Sequence, residues 1–398
     1  MSIVTNASQR QTGVISQLLI FAMAAASGIA VANIYYNQPM MVVIAASFPG
    51  QSAPGLIPTI TQLGYAAGLL LLVPLGDLFE RRRLIVLQFL MLALASLLAA
   101  FAPTGWTLLG ASLLLGIGAT AAQQIVPVAA TLASPARRGA VVGSVMSGLL
   151  SGILLSRTLA GLVAEYAGWR AMFLLGVPLA LLGALLMYRM LPKTTATAHA
   201  ALSYPALMAS LIHLWREEPR LRQATLTQAA LFASFSAFWT ILAIYLDHSA
   251  YHLGSGIAGL FGVVGAVGVF AAPAAGRMAD RLGGRPVIIM GAALTLIAWL
   301  VFMGWTSLIG LTVGVILLDL GVQSALVANQ HVIYGLREEA KGRVNTLFMG
   351  GMFLGGTLGS MGAMMAWERA GWHGVGYFAI TLAILAGVFM AATPRHRV

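Results

Sequence analysis

Apolar runs long enough to cross a bilayer follow one another along almost the whole chain, separated by short polar connections. A membrane-spanning helix needs about 20 consecutive apolar residues, because no water is available in the hydrocarbon to satisfy a backbone in any other open form. The runs fall at 18–47, 55–78, 83–102, 106–133, 138–166 and 170–190, then at 221–247, 254–279, 286–304, 307–334, 341–368 and 372–392. Only 8% of the residues are charged and 59% are hydrophobic, against roughly a quarter charged in soluble domains. The expected fold is all-α and integral to the membrane, with twelve transmembrane helices in two pseudo-symmetric six-helix bundles. These bundles are expected at 1–190 and 221–398, joined by a cytoplasmic linker at 191–220 that holds Pro192, Lys193 and the charged run Arg216, Glu217, Glu218.

The net charge of +11 does not indicate nucleic acid, because the cations are clustered between the apolar runs. With the N-terminus inside, 19 Lys and Arg fall on cytoplasmic segments: Arg10, Arg81 to Arg83, Arg137, Arg138, Arg189, Lys193, Arg216, Arg220, Arg222, Arg277, Arg281, Arg285, Arg337, Lys341, Arg343, Arg395 and Arg397. Outer loops hold only Arg170 and Arg369, and Arg157 lies inside a span. Such a bias orients a membrane protein with both termini in the cytoplasm, here across a bacterial inner membrane. Met1–Gln17 is mostly polar and leads into a run too long for a signal sequence, which argues against a cleaved leader. The chain contains no cysteine, so disulfides and thiolate chemistry are excluded.

The sequence also repeats. Gly76-x3-Glu80-Arg81 returns as Gly276-x3-Asp280-Arg281, Arg138-Gly139 as Lys341-Gly342, and Gly168-Trp169-Arg170 as Gly371-Trp372-His373, at offsets of 200 and 203 residues. Duplicated six-helix halves are a transporter plan. Gly76 to Arg83 and Gly276 to Arg285 resemble the loop signature of the major facilitator superfamily, roughly G-x3-D-R-x-G-R-R, with Glu80 in place of Asp in the first copy. The fifth span, with Gly148, Gly152, Ser156, Arg157, Ala160 and Gly161, is similar to the antiporter signature of the drug:proton antiporter-1 and arabinose-efflux-like exporters, with Arg157 at the proline position. Ser112 stands where that branch carries an arginine in its fourth span. The resemblance implies a secondary active transporter, proton-coupled and exporting small molecules by alternating access, working as a monomer with no cofactor and no metal. A sugar or amino-acid carrier of the same fold, for export or uptake, stays open beside it.

Polar residues inside the spans recur with a period of three helices. The first span carries Asn33, Tyr35, Tyr36, Asn37 and Gln38; the fourth Gln123 and Gln124; the seventh Gln228, Ser234, Ser236 and Thr240; the tenth Asp319, Gln323, Asn329, Gln330 and His331. Polar groups are costly in lipid and turn toward partners or water, so these helices are expected to line a substrate cavity. Its candidate residues are Asn33, Tyr36, Asn37, Gln123, Gln124, Gln228, Phe235, Trp239, Gln323 and Gln330. Asp319, Gln323 and Gln330 fall within about 40° on one helical face. Glycines concentrate in the second, fifth, eighth and eleventh spans, where small residues let backbones approach. The third, sixth, ninth and twelfth, nearly all apolar, are left for the lipid.

Arg157 and Asp319 are the two charges well inside spans. At the centre of a lone helix either costs about 2.5–3.5 kcal/mol, so both must face protein or water. Dehydration favours the neutral acid, which suits Asp319 to exchange a proton. Arg157 keeps its proton, so its roles are to attract the Asp319 charge, to hold an anionic substrate, or to pair with Asp319 structurally. Gly76, Glu80, Arg81, Gly276, Asp280 and Arg281 form a candidate conformational latch at the cytoplasmic helix ends. Glu165, Asp247 and Glu368 lie near outer helix ends and read as solvated. No H-E-x-x-H, G-x-S-x-G or phosphate-loop motif occurs, which argues against an enzyme or an ATP-driven pump. A channel or sensor reading lacks a soluble signalling domain or a sign of a subunit ring.

Overall fold

A computed structural model describes residues 15–134, 136–193, 203–337 and 340–391. Arg10, Arg395, Arg397, most of the early linker and the last residue of the final span lie outside the described residues. The described chain is helical with no strand: α1 (Gln17–Ala32), α2 (Asn37–Ala46), α3 (Ile57–Leu71), α4 (Arg81–Ala100), α5 (Gly105–Ala119), α6 (Ala121–Leu132), α7 (Arg138–Ala167), α8 (Trp169–Met190), α9 (Tyr204–Glu217), α10 (Pro219–His248), α11 (Ser255–Gly265), α12 (Val267–Leu282), α13 (Gly284–Gly304), α14 (Leu308–Tyr334) and α15 (Lys341–Ala391). Ten helical stretches among them are long and apolar enough to cross a membrane. The last of these, α15, is two spans joined where Ala370 and Gly371 leave helical geometry, and α11 with α12 forms one more broken span. Together they give the twelve that the charge alternation requires.

Three spans that read as continuous in the sequence are interrupted. In the first, Asn33, Ile34 and Tyr35 donate to carbonyls three residues back, and Asn33 Nδ2 bonds the Ile29 carbonyl at 2.8 Å. This tighter turn absorbs Pro39, whose ring clashes with a continuous helix four residues earlier. The fourth breaks at Thr120, whose Oγ1 bonds the Ile117 carbonyl at 2.6 Å, between α5 and α6. The eighth breaks at Ala266, and Pro273 follows within α12. Apolarity fixes the length of a buried stretch but is blind to breaks in its hydrogen-bond ladder.

The repeated Gly-Trp landmarks carry matching geometry. Gly168 (φ +81°) and Gly371 (φ +57°) both adopt the left-handed conformation that side chains disfavour. Each turns the chain from one span into the next, and each following indole anchors there: Trp169 Nε1 bonds Ser47 Oγ at 2.9 Å, and Trp372 Nε1 bonds the Phe302 carbonyl at 3.1 Å. Large apolar side chains stand exposed on α4, α8, α13 and the second part of α15, including Leu87, Leu94, Leu185, Ile289, Leu300 and Ile384. Such faces suit contact with lipid.

The connection between the sixth and seventh spans contains a helix that the linker reading did not anticipate. Ser203 caps α9 by accepting from the Ala206 N–H, and Leu207, Leu211 and Leu214 form its buried stripe. The Thr/Ala-rich composition before it hides a helix whose apolar contacts recur at helical spacing.

Candidate functional site

Arg157 projects from α7, about 28 Å along the helix axis from Arg138 at 1.5 Å per residue. It is 4% exposed. The break in the first span places Tyr35 and Gln38 beside it: Nε donates to Gln38 Oε1 at 2.9 Å, and the guanidinium lies 4.6 Å from the Tyr35 ring centre. From α10, Trp239 covers it at 3.9 Å and Phe235 lies at 5.8 Å. An arginine held between aromatic faces gains about 2 kcal/mol or more per close ring when desolvated, which offsets part of its dehydration. Its Nη2 has no hydrogen-bond partner.

Asp319 projects from α14 and is also 4% exposed. It sits in a notch left by the broken eighth span. A Cβ on Gly265 would lie 3.3 Å from Asp319 Oδ2 and 3.1 Å from Trp239 Cζ2, and one on Gly268 would lie 3.0 Å from both Asp319 Cβ and Gln323 Cγ. Oδ2 and Trp239 Nε1 are buried and unpartnered. No ion pair within 4.0 Å joins Arg157 to Asp319 among the described residues. Trp239 touches both surroundings. A cavity of about 10 Å³, room for one water, is lined by Gln38, Pro39, Arg157, Trp239, Leu242, Ala243 and Ala258.

The other sequence candidates distribute around this centre. Asn37 Nδ2 donates to Thr61 Oγ1 of α3 at 2.9 Å, and Tyr36 is buried beside it in the chain. Asn33 bonds carbonyls of its own helix. Gln228 joins α10 to α14, donating to the Val322 carbonyl at 3.4 Å and accepting from Asn329 at 3.1 Å. Phe235 stacks on Phe232 at 5.5 Å. Gln323 and Gln330 are half-buried. Gln123 donates to the Tyr65 hydroxyl at 3.1 Å, whereas Gln124 bonds Gln88 at 3.1 Å and covers Gly76, inside the first six spans. The structure thus gathers Arg157, Trp239, Phe235, Asp319 and Gln323 at one place and sets Gln124 and Asn33 apart from them.

At the signature loops, Arg81 bonds the Gly76 carbonyl at 3.0 Å and pairs with Asp77 at 2.9 Å, while Glu80 pairs with Arg83 at 2.7 Å. In the second copy Asp280 lies 3.4 Å from His331, Gly276 approaches Val327, and Arg281 is exposed at the end of α12. Each of these pairs closes within its own set of six spans.

The two sets meet at the end opposite the arginines and also along α3 and α15, where Tyr65 and Phe353 lie 4.4 Å apart and a Cβ on Gly350 would fall 2.7 Å from Leu70 Cδ2. Thr59 and Thr240 both donate to Ser360 Oγ, at 3.1 and 2.9 Å, and Ser236 donates to Gln62 Oε1 at 3.2 Å. Gly161 and Gly259 bring α7 and α11 together so closely that a Cβ on Gly161 would fall on the Ser255 carbonyl. Ser255 and Thr158 donate across the same contact at 3.1 Å each, and Glu165 accepts from the Gly256 N–H at 2.7 Å. Glu165, read from sequence as a solvated end group, is exposed yet caps a helix of the other set. Toward the basic end, α1 and α12 pack mainly against their own sets, and Gly139 and Gly143 of α7 have open space beside them. The Arg157–Asp319 centre lies beneath this α7–α11 contact, a polar apex where the two sets are held together at one end.

Twelve spans in two repeated sets around a polar apex define a multi-pass membrane carrier. The profile of the Major Facilitator Superfamily matches residues 18–325 and 226–397, and the chain belongs to that family. It is 42% identical over 373 residues to the uncharacterized transporter YgaY of Escherichia coli K12, covering 93% of this chain and 94% of that protein. A protein of Streptomyces coelicolor named as a probable transporter is 33% identical over 368 residues, covering 92% of this chain and 85% of that protein. The fold matches the xylose transporter XylE from E. coli in a partially occluded inward-open conformation, with a TM-score of 0.72 at 16% identity over 94% of this chain and 98% of that one. The chain is thus a secondary transporter of small molecules and not an enzyme.

Proposed function

We propose that the protein is a proton-coupled exporter of small molecules that works by alternating access, with Asp319 as the proton-carrying group. One observation carries the reading: a buried carboxylate with an unpartnered oxygen lies beside a buried guanidinium without forming an ion pair, where spans of both sets converge. A permanent structural pair would close that gap, because an uncompensated buried charge is costly. A carboxylate that must be neutral in one step and charged in another fits a gap whose attraction changes with each proton. The positive-inside rule puts the basic end in the cytoplasm of a bacterial inner membrane, with both termini cytoplasmic. Substrate would enter there, displace or follow the proton at the apex, and leave after the contacts among α3, α7, α11 and α15 part.

The test uses proteoliposomes, with exchange of a labelled compound measured in the absence of a gradient and accumulation measured under an imposed pH gradient. Asp319→Asn is expected to keep exchange and to lose gradient-driven accumulation. Accumulation at the wild-type rate would remove Asp319 from the coupling step. A sugar or amino-acid carrier remains the second reading, favoured by the amide group of Gln38 at the apex and that of Asn37 beside it in the chain.

A further inference from the structure

The surroundings of Arg157 leave it one free direction. Its Nε is taken by Gln38, and its faces are covered by the rings of Trp239 and Tyr35. What remains is the guanidinium edge, whose Nη2 is unpartnered in a side chain that is 96% buried by its 4% exposure. Trp239 Nε1, on a residue 2% exposed, is a second buried donor without an acceptor. Both residues line the same small cavity, with Leu242, Ala243 and Ala258 as its apolar wall. Unmet buried donors are costly, and a forked guanidinium edge matches the two oxygens of a carboxylate.

A line of aromatic rings leads away from this point toward the basic end. Trp239 and Phe235 lie 6.1 Å apart, Phe235 and Phe232 5.5 Å, Phe232 and Phe353 5.0 Å, and Phe353 and Tyr65 4.4 Å. The first three rings descend α10 toward its N-terminus, and the last two come from α15 and α3. An apolar or aromatic body lying along that track would carry its head group to the guanidinium edge. A cationic head would meet the like charge of Arg157.

We propose that the apex is a receptor for the carboxylate of a small amphipathic organic acid, with Arg157 and Trp239 Nε1 as its donors and the Phe235–Phe232–Phe353 track as the seat of its apolar body. The cavity as it stands has room for about one water, so the acid's head group fills it and draws the walls apart. The assignment rests on the transport reading above but concerns binding alone.

The test is a thermal-shift titration of the purified full chain in detergent with 4-phenylbutyrate, against its neutral amide 4-phenylbutyramide and the cation 4-phenylbutylamine. The acid should protect saturably, and the amide and amine should need about tenfold or more higher concentration, as loss of charge-assisted hydrogen bonds implies. Trp239→Phe, which keeps the ring and removes the donor, should weaken the acid severalfold, and Arg157→Gln should weaken it more, with Arg157→Lys recovering part of the loss. Equal protection by acid and amide, stronger protection by the amine, or no protection by any of the three overturns the proposal without any variant having to fold. Because no proton gradient is present, the two readings fail separately. Acid binding together with undiminished gradient-driven accumulation in Asp319→Asn would sink the coupling role alone; lost accumulation without acid selectivity would sink the carboxylate receptor alone.

Discussion

At the basic end, the ion pairs Asp77–Arg81 and Glu80–Arg83 and the contact of Asp280 with His331 each stay within one set of six spans. At the opposite end the sets are held to one another by hydroxyls, glycine contacts and the single carboxylate of Glu165 capping α11. The difference follows from solvent. Exposed charge pairs contribute about 0–1 kcal/mol, because water and salt compete for them. Close backbone approach and neutral hydrogen bonds between small side chains depend on fit, so they are strong when seated and vanish within a small displacement. A closure built this way can be firm in one conformation and leave nothing to drag on in the other. The arginines orient the protein, and the small residues shut it.

The largest expected effect comes from spoiling the fit. Gly161→Leu places a side chain where α11 runs, and overpacking of this kind costs about 1–3 kcal/mol; labels on α7 and α11 should move apart by spin-label distance measurement, with transport falling accordingly. Glu165→Gln exchanges a charge-assisted cap for a neutral one, a change of about 1 kcal/mol. It should shift the closed-end population several-fold in the same measurement while the protein stays folded. The smallest effect is expected at Arg337, which meets Glu218 at 2.7 Å and Glu217 at 3.2 Å and so ties the end of α9 to the last six spans. Arg337→Ala should change stability by no more than about 1 kcal/mol and leave the closed end unaltered. A larger response there than at Gly161 would reverse the comparison.

The architecture was legible because lipid imposes a length and the translocation machinery imposes a charge pattern, and both are written in single residues. The Gly168-Trp169 and Gly371-Trp372 landmarks read correctly as a repeat because each is a turn that only glycine makes easily, followed by an anchored indole. The breaks at Asn33, Thr120 and Ala266 were not legible, since their surroundings are as apolar as any continuous helix. Arg157 and Asp319 stood out by cost alone, but their neighbourhood did not. Gln38 and Tyr35 reach Arg157 only because the first span breaks, and Trp239 reaches both sites only because α10 packs against α2 and α14 and lays the indole over the guanidinium. Gln124 carries the same polar signal as Gln123 yet turns to Gln88 and the Gly76 loop, a choice that helix rotation makes and composition does not record. Glu165 gave no signal because a carboxylate at a helix end is ordinarily just solvated.

The account stands on the closed end having to part during each cycle. The chain contains no cysteine, so a pair can be introduced without background. Thr59 and Ser360, whose hydroxyls lie 3.1 Å apart on α3 and α15, are the natural positions. Oxidation of the double variant Thr59→Cys/Ser360→Cys should abolish transport in proteoliposomes, and a reductant should restore it. Transport at the full rate by the fully cross-linked protein would contradict the account.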